Sequence, residues 1–245
     1  MLLSLLLAAA PLTPTTLHYA KHSDGVVDVY SPPRPTQLPL VFLIHGGFWS
    51  PAYDRAHLKP LAESLVASGY RVALPEYRRA GAGGGFPATF DDLKAALGLV
   101  AATYKDQRIV VSGHSAGGHL ALWLGSQTAT QLCGVVALAP IADLKSAEAE
   151  HLGNDAVAAF LGGPSSRIPE IWAQADPQKL PEPRWPTLLL HGKDDQLVPV
   201  DQSRKYAKRR LNVKVVELSG VDHFGLIAPG FEPYLGALKA VCPDR

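Results

Sequence analysis

The sequence predicts a single α/β domain built on a mostly parallel sheet of about eight strands flanked by helices. Three observations predict it. Short apolar runs rich in β-branched residues recur from Leu17 onward, too short for helices. Amphipathic stretches separate them, which is the βα alternation of a parallel sheet. The 245 residues suffice for one large α/β domain and fall short of two at roughly 100–200 residues each.

The strands follow in order. Leu17–Ala20 and Val26–Tyr30 flank His22-Ser23-Asp24-Gly25, whose Asp-Gly pair favours positive φ, so the sheet opens with a hairpin. Leu40–Ile44, Arg71–Leu74, Arg108–Ser112, Gly134–Ala139, Thr187–His191 and Val213–Leu218 supply the other six. Helices are expected over Asp54–Ser68, Phe90–Tyr104, Ser115–Gln127, Asp201–Leu211 and Phe231–Val241. The first places Leu58, Leu61, Leu65 and Val66 on one face and stops at Gly69.

Two segments break the alternation. Ala80–Pro87, with Gly81, Gly83, Gly84 and Gly85, reads as a mobile loop, and no Lys-Ser or Lys-Thr pair follows it as in a phosphate loop. Residues 141–186 are far longer than an ordinary connection, with one short helix at Asn154–Leu161, and read as a cap or lid excursion on the domain spanning 17–245.

Composition narrows the function. Hydrophobic residues make up 47% and charged ones 18%, enough apolar surface for a core and incompatible with a disordered chain. The net charge is +1 and the one dense basic cluster, Arg204–Arg210, reads as a solvated helix face, so nucleic acid is not expected as a partner. Cys133 and Cys242 sit among apolar neighbours and read as buried free thiols. Residues 1–16 read as a secretory leader or a disordered start. Met1–Ala10 is apolar and ends in Ala8-Ala9-Ala10, but no Lys or Arg precedes Lys21 and Pro11 follows the small residues. Export and a cytoplasmic location both stay open, and the stretch is too short for stable membrane insertion.

Chemistry concentrates at three loops. Gly113-His114-Ser115-Ala116-Gly117 joins a strand to a helix, the setting of a nucleophile elbow in which a serine projects above the sheet on a tight turn. Such a serine needs a base, and the base needs a group that fixes its tautomer. Asp195 follows the strand Thr187–His191 within Asp194-Asp195-Gln196-Leu197-Val198-Pro199, and His223 follows Val213–Leu218, so acid and base come after the serine, each beyond a later strand. Asp195 is the expected orienting acid, with Asp194 its solvated neighbour, while His191 and His151 read as structural. The third loop, His45-Gly46-Gly47-Phe48-Trp49, lets backbone approach a substrate closely, and the N–H of Ala116 would complete an oxyanion hole there.

These loops together resemble the α/β-hydrolase fold from about Leu17 to Val241. The segment His45-Gly46-Gly47-Phe48-Trp49 matches the HGGxW motif of the kynurenine formamidase (arylformamidase) group and related small esterases, and Gly113-His114-Ser115-Ala116-Gly117-Gly118-His119 is similar to their elbow. The resemblance implies that Gly47 and Phe48 carry oxyanion N–H groups. It also implies a serine hydrolase of small carboxylic esters or aryl formamides without a metal or other cofactor, with Ser115, Asp195 and His223 as the triad. Trp49, His114, Phe160, Trp172 and Phe224 are candidates for the substrate pocket. Glu76-Tyr77-Arg78 is either a substrate contact or a structural ion pair, and Arg78 and Arg79 are the nearest groups for pairing a substrate carboxylate. A catalytically silent binding protein and a serine peptidase on the same fold are the alternatives. Oligomeric state is not legible.

Overall fold

The computed structural model describes residues 12–208 and 210–243. The leader-like Met1–Ala10 lies outside the described residues, while Thr15 and Thr16, within the span read as leader or disordered start, already belong to the first strand. Eight strands form one sheet: β1 (Thr15–His18), β2 (Val26–Tyr30), β3 (Leu40–Ile44), β4 (Arg71–Pro75), β5 (Ile109–His114), β6 (Gly134–Leu138), β7 (Thr187–Gly192) and β8 (Val213–Leu218). Their spatial order is β1-β2-β4-β3-β5-β6-β7-β8. The β1–β2 hairpin and the β2–β4 pair are antiparallel and every later pair is parallel.

Burial explains why the central strands read as continuous apolar runs. Every residue of β3, β5 and β6 is buried, since helices cover both faces. Alternate side chains feed two cores. Leu40, Phe42 and Ile44 meet α2 (Ala88–Thr103) and α3 (Ala116–Gln127), whereas Val41 and Leu43 meet α1 (Lys59–Ala67) and the last helix, Glu232–Val241. The chain runs from β3 to β4 on one side and returns to β5 on the other, so the order reverses between β3 and β5. Open α/β sheets bind ligands beyond the carboxyl ends of the strands at such a point. Register pairs Ile44 with Gly113 and His114 with Leu138, which brings the loops after β3, β5 and β6 to one level.

Several expectations change in detail. The helix expected from Asp54 opens as a 3₁₀ turn, Arg55–Leu58, because Pro60 has no N–H to bond the Ala56 carbonyl; Lys59 takes that carbonyl instead. The excursion holds α4 (Leu144–Ala149), α5 (Ala156–Leu161) and α6 (Pro169–Ala175), of which only α5 was legible. Six- and seven-residue helices complete at most two apolar turns, too few for periodicity, although Asp143 capping the Ser146 amide is a local mark of the first. The next helix, α7 (Asp201–Ala207), stops short of Leu211, and the chain closes with α8 (Glu232–Val241). The glycine loop expected to be mobile is tied down: Ala80 donates to the Trp49 carbonyl and Gly85 to Thr89 Oγ1, both at 2.9 Å.

The cysteines are not free thiols. Cys133 and Cys242 form a disulfide with Cα atoms 5.2 Å apart, joining the start of β6 to the end of α8. Gly134 lets that helix end close in, since a Cβ there would run into Val241.

Candidate functional site

Ser115 lies between β5 and α3 with φ 59° and ψ −120°, a conformation that costs a residue bearing a Cβ free energy and persists because the surroundings impose it. Its amide donates to the Leu138 carbonyl at 2.8 Å, anchoring the turn to the end of β6. The flanking glycines are demanded by close approach: a Cβ on Gly113 would strike the Gly117 carbonyl, and one on Gly117 would strike the carbonyls of Ile44 and His45. The Gly-x-Ser-x-Gly spacing is thus the condition for packing this turn against the β3 loop.

Asp195 and His223 come together from the ends of β7 and β8. His223 Nδ1 lies 2.6 Å from Asp195 Oδ2, and Asp195 Oδ1 accepts the amides of Leu197 and Val198 at 2.9 Å each. His191 Nε2 stands 3.5 Å from Asp195 Oδ2. Burial alone would raise the Asp195 pKa, but hydrogen bonds from His191, His223 and the Val198 amide outweigh it and hold the carboxyl well below the usual carboxylate range. Asp194 is exposed and its amide donates to the Val221 carbonyl, so the paired aspartates stand in different surroundings. His191 is internal, with Nδ1 2.8 Å from Ser203 Oγ and Nε2 2.9 Å from the Val198 carbonyl. His151 is exposed beside Asp155 at 2.6 Å.

The turn carrying His223 is fixed from both sides. Asp222 Oδ1 accepts the Phe224 and Gly225 amides, and His114 Nε2 donates to the His223 carbonyl at 2.9 Å. Burial, with the His223 charge adding to it, pushes the His114 pKa down to about 3, so its ring is a neutral donor here. The residue before Ser115 therefore ties the strand-to-helix turn to the His223 loop, a link the sequence did not signal.

The β3 loop passes beside the serine. A Cβ on Gly46 would lie 3.1 Å from Ser115 Cβ. Gly47, Phe48 and Trp49 follow with φ of 100°, 51° and 56°, closed by the Ser50 amide on the Gly47 carbonyl at 2.9 Å. Among the described residues no acceptor takes the Gly47 or Phe48 N–H. Beneath the loop His45 is buried, its ring stacked on Tyr77 with centroids 4.3 Å apart and its Nε2 2.9 Å from Glu76 Oε1. Glu76 and its neighbours are engaged with protein groups: Arg79 pairs with Glu76 and Asp24, and Arg78 forks onto Asp92 through Nε at 2.9 Å and Nη2 at 2.7 Å.

The aromatic candidates divide. Trp49 and Phe160 are buried and stacked at 4.7 Å, with Phe90 and His119 against them. Trp172 is packed within the excursion, Nε1 donating to the Gly163 carbonyl at 3.0 Å, and borders a cavity of about 220 Å³ shared with Lys145, Ser165, Asp176 and Lys179 and lacking the three catalytic candidates. Phe224 is 52% exposed, with its ring 5.3 Å from that of His223 and 6.3 Å from that of His57, which in turn lies 5.9 Å from the exposed Tyr53. Tyr53 and His57 were not singled out by sequence, because only the tertiary fold brings them beside Phe224.

The BD-FAE family model matches residues 27–209. Versiconal hemiacetal acetate esterase of Aspergillus parasiticus is 32% identical over 143 residues, covering 53% of this chain and 43% of that one. Kynurenine formamidase of Drosophila melanogaster is 25% identical over 246 residues, covering 86% of this chain and 76% of that one. The chain spans less than half the length of the Aspergillus enzyme. A truncated carbohydrate esterase from gut microbiota superposes with a TM-score of 0.78 at 18% identity, covering 95% of this chain and 98% of that one, which establishes the shared α/β-hydrolase fold.

Proposed function

The chain belongs to the BD-FAE family, and from that premise we propose that it is a serine hydrolase of small carboxylic esters working through an acyl-enzyme. The observation that carries the reading is Ser115 on a strained strand-to-helix turn at the sheet's switch point, with the hydrogen-bonded Asp195–His223 pair beyond later strands. Ser115 Oγ attacks the ester carbonyl. His223 takes its proton and returns it to the departing alcohol, while Asp195 keeps Nδ1 protonated so that Nε2 is the acceptor. The unclaimed amides of Gly47 and Phe48, with that of Ala116 at the start of α3, receive the developing oxyanion, aided by the helix N-terminus. Water, activated by His223, then releases the acid.

The similarity to kynurenine formamidase favours a second substrate class, aryl formamides. Recognition of a substrate carboxylate would need a free cation, and Arg78 and Arg79 are both committed to ion pairs, so simple esters come first. Labelling by a fluorophosphonate should fall on Ser115, and Ser115→Ala should abolish labelling and nearly all turnover of an aryl acetate. A variant keeping a tenth of the activity would remove Ser115 from its role. A kcat/KM for N-formylkynurenine tenfold above that for the aryl acetate would put the formamidase reading first.

A further inference from the structure

We propose that Glu76 and His45 form a positioning device for the oxyanion loop: His45 is held as an imidazolium between Glu76 and the Gly46 carbonyl, and through that carbonyl it aims and polarises the Gly47 N–H. The inference rests on reading Gly47 as an oxyanion donor.

Both ring nitrogens of His45 face acceptors, Nε2 lying 2.9 Å from Glu76 Oε1 and Nδ1 2.9 Å from the Gly46 carbonyl. A neutral imidazole has one N–H and would set a lone pair against one of those oxygens. Glu76 has no proton to offer. Its Oε1 also accepts the Tyr77 amide at 3.1 Å and the Arg79 guanidinium, and its Oε2 accepts the Arg55 amide at 3.0 Å. Burial works to raise its pKa, but the hydrogen bonds from His45 and the Arg55 amide, with the charge on Arg79, hold it below the usual value.

Charge counting agrees. Asp24, Asp28 and Glu76 are linked to Arg55 and Arg79, with Arg55 Nε 2.6 Å from Asp28 and Arg79 Nη2 3.1 Å from Asp24. The neighbouring Arg78 is balanced by Asp92. Three carboxylates against two guanidiniums leave one negative charge in a largely buried cluster, and an imidazolium at His45 neutralises it. Buried charge is costly unless paired.

The Gly46 carbonyl and the Gly47 N–H belong to one peptide unit. In a trans peptide they point in opposite directions, so clamping the oxygen from below fixes where the N–H aims. A cationic donor at the oxygen also strengthens the N–H as a donor, by about 10–30% per linked bond. The ring that does the clamping is itself fixed by its stack on Tyr77, whose hydroxyl donates to the His45 carbonyl at 2.9 Å.

Protein labelled with ¹⁵N-histidine tests the proposal, the His45 imidazole signals being assigned by their loss in His45→Gln. Wild type should show two ring N–H groups for His45 at neutral pH, and Glu76→Gln one. The same variant should lower kcat for an aryl acetate tenfold or more per fluorophosphonate-reactive site while KM stays within twofold. A single N–H in wild type, or a Glu76→Gln variant that loses reactive sites but keeps wild-type kcat per site, overturns the proposal, the latter outcome reducing the pair to a fold-holding role. If Glu76→Gln does not fold, the wild-type spectrum decides alongside Glu76→Asp, which should keep both N–H groups. Labelling of a serine other than Ser115 would instead overturn the functional reading, and the spectrum would still report the charge on His45.

Discussion

Asp195→Asn is the substitution whose outcome the geometry constrains most. Asp195 Oδ2 faces His223 Nδ1 at 2.6 Å while Oδ1 holds the Leu197 and Val198 amides at 2.9 Å each. Asparagine keeps one acceptor oxygen and gains an NH₂. Placing NH₂ toward the two amides sets donors against donors and forfeits two hydrogen bonds, each worth about 1 kcal/mol net and more once a buried donor is left unmet. Placing it toward His223 keeps both, but Nδ1 must then accept. The second arrangement wins, and the His223 proton moves to Nε2, where it cannot receive a proton from Ser115. A wrong tautomer of this kind lowers kcat by roughly 10⁴, equivalent to about 5.4 kcal/mol of transition-state stabilisation. Asp194→Asn changes an exposed side chain and should leave kcat within twofold. Steady-state hydrolysis of an aryl acetate by both purified variants, with Tm measured to verify folding, makes the comparison. An Asp195→Asn enzyme keeping more than a tenth of wild-type kcat, or the reverse ranking of the two aspartates, would refute the reasoning.

Three further outcomes are expected. Cys133→Ala/Cys242→Ala opens a loop spanning 109 residues, and loop-closure entropy alone puts the loss at about 5 kcal/mol, or a Tm lower by about 10 °C in calorimetry; a shift under about 2 °C would show that the disulfide constrains little. Burial holds the pKa of His114 down to about 3 and that of His119 to about 4, against about 6.5 in an unfolded chain, so the unfolded state binds more protons and stability present above pH 6.5 is lost as pH falls toward 4. Asp176, raised to about 6 by burial, opposes this with one proton against two; urea midpoints between pH 7 and 4 should therefore decline, less steeply in His119→Gln, and a flat profile would contradict the assignment. Because Trp49 and Phe160 fill the interior beside the β3 loop, acetyl and butyryl aryl esters should be cleaved far faster than long-chain ones; Phe160→Ala should shift the chain-length profile upward at a cost of roughly 3–5 kcal/mol in stability, and a wild-type preference for long acyl chains would defeat the argument.

What the sequence determined by itself is what neighbouring residues encode. Apolar runs marked seven of the strands closely and the first in part, since β1 is Thr15–His18 and not Leu17–Ala20; Gly69 marked the end of α1 with its φ of 92°, and the elbow was legible because Gly113, Ser115 and Gly117 stand within five residues between a strand and a helix, although the carbonyls that Gly117 makes room for, those of Ile44 and His45, belong to the β3 loop. Chain order placed Asp195 and His223 beyond later strands, where their hydrogen bond forms. Tertiary structure alone decided partnerships between distant positions. Cys133 and Cys242 read as separate thiols because only the packing of α8 against β6 brings them together, and Glu76 became the anchor of His45 because β3 and β4 are neighbours in space. Trp49 and Phe160, both read as pocket residues, became a closed stack because the excursion folds back onto the β3 loop. Backbone conformation answers to residues a few positions away, whereas a side chain's partner is set by sheet register and layer packing, which no local stretch of sequence contains.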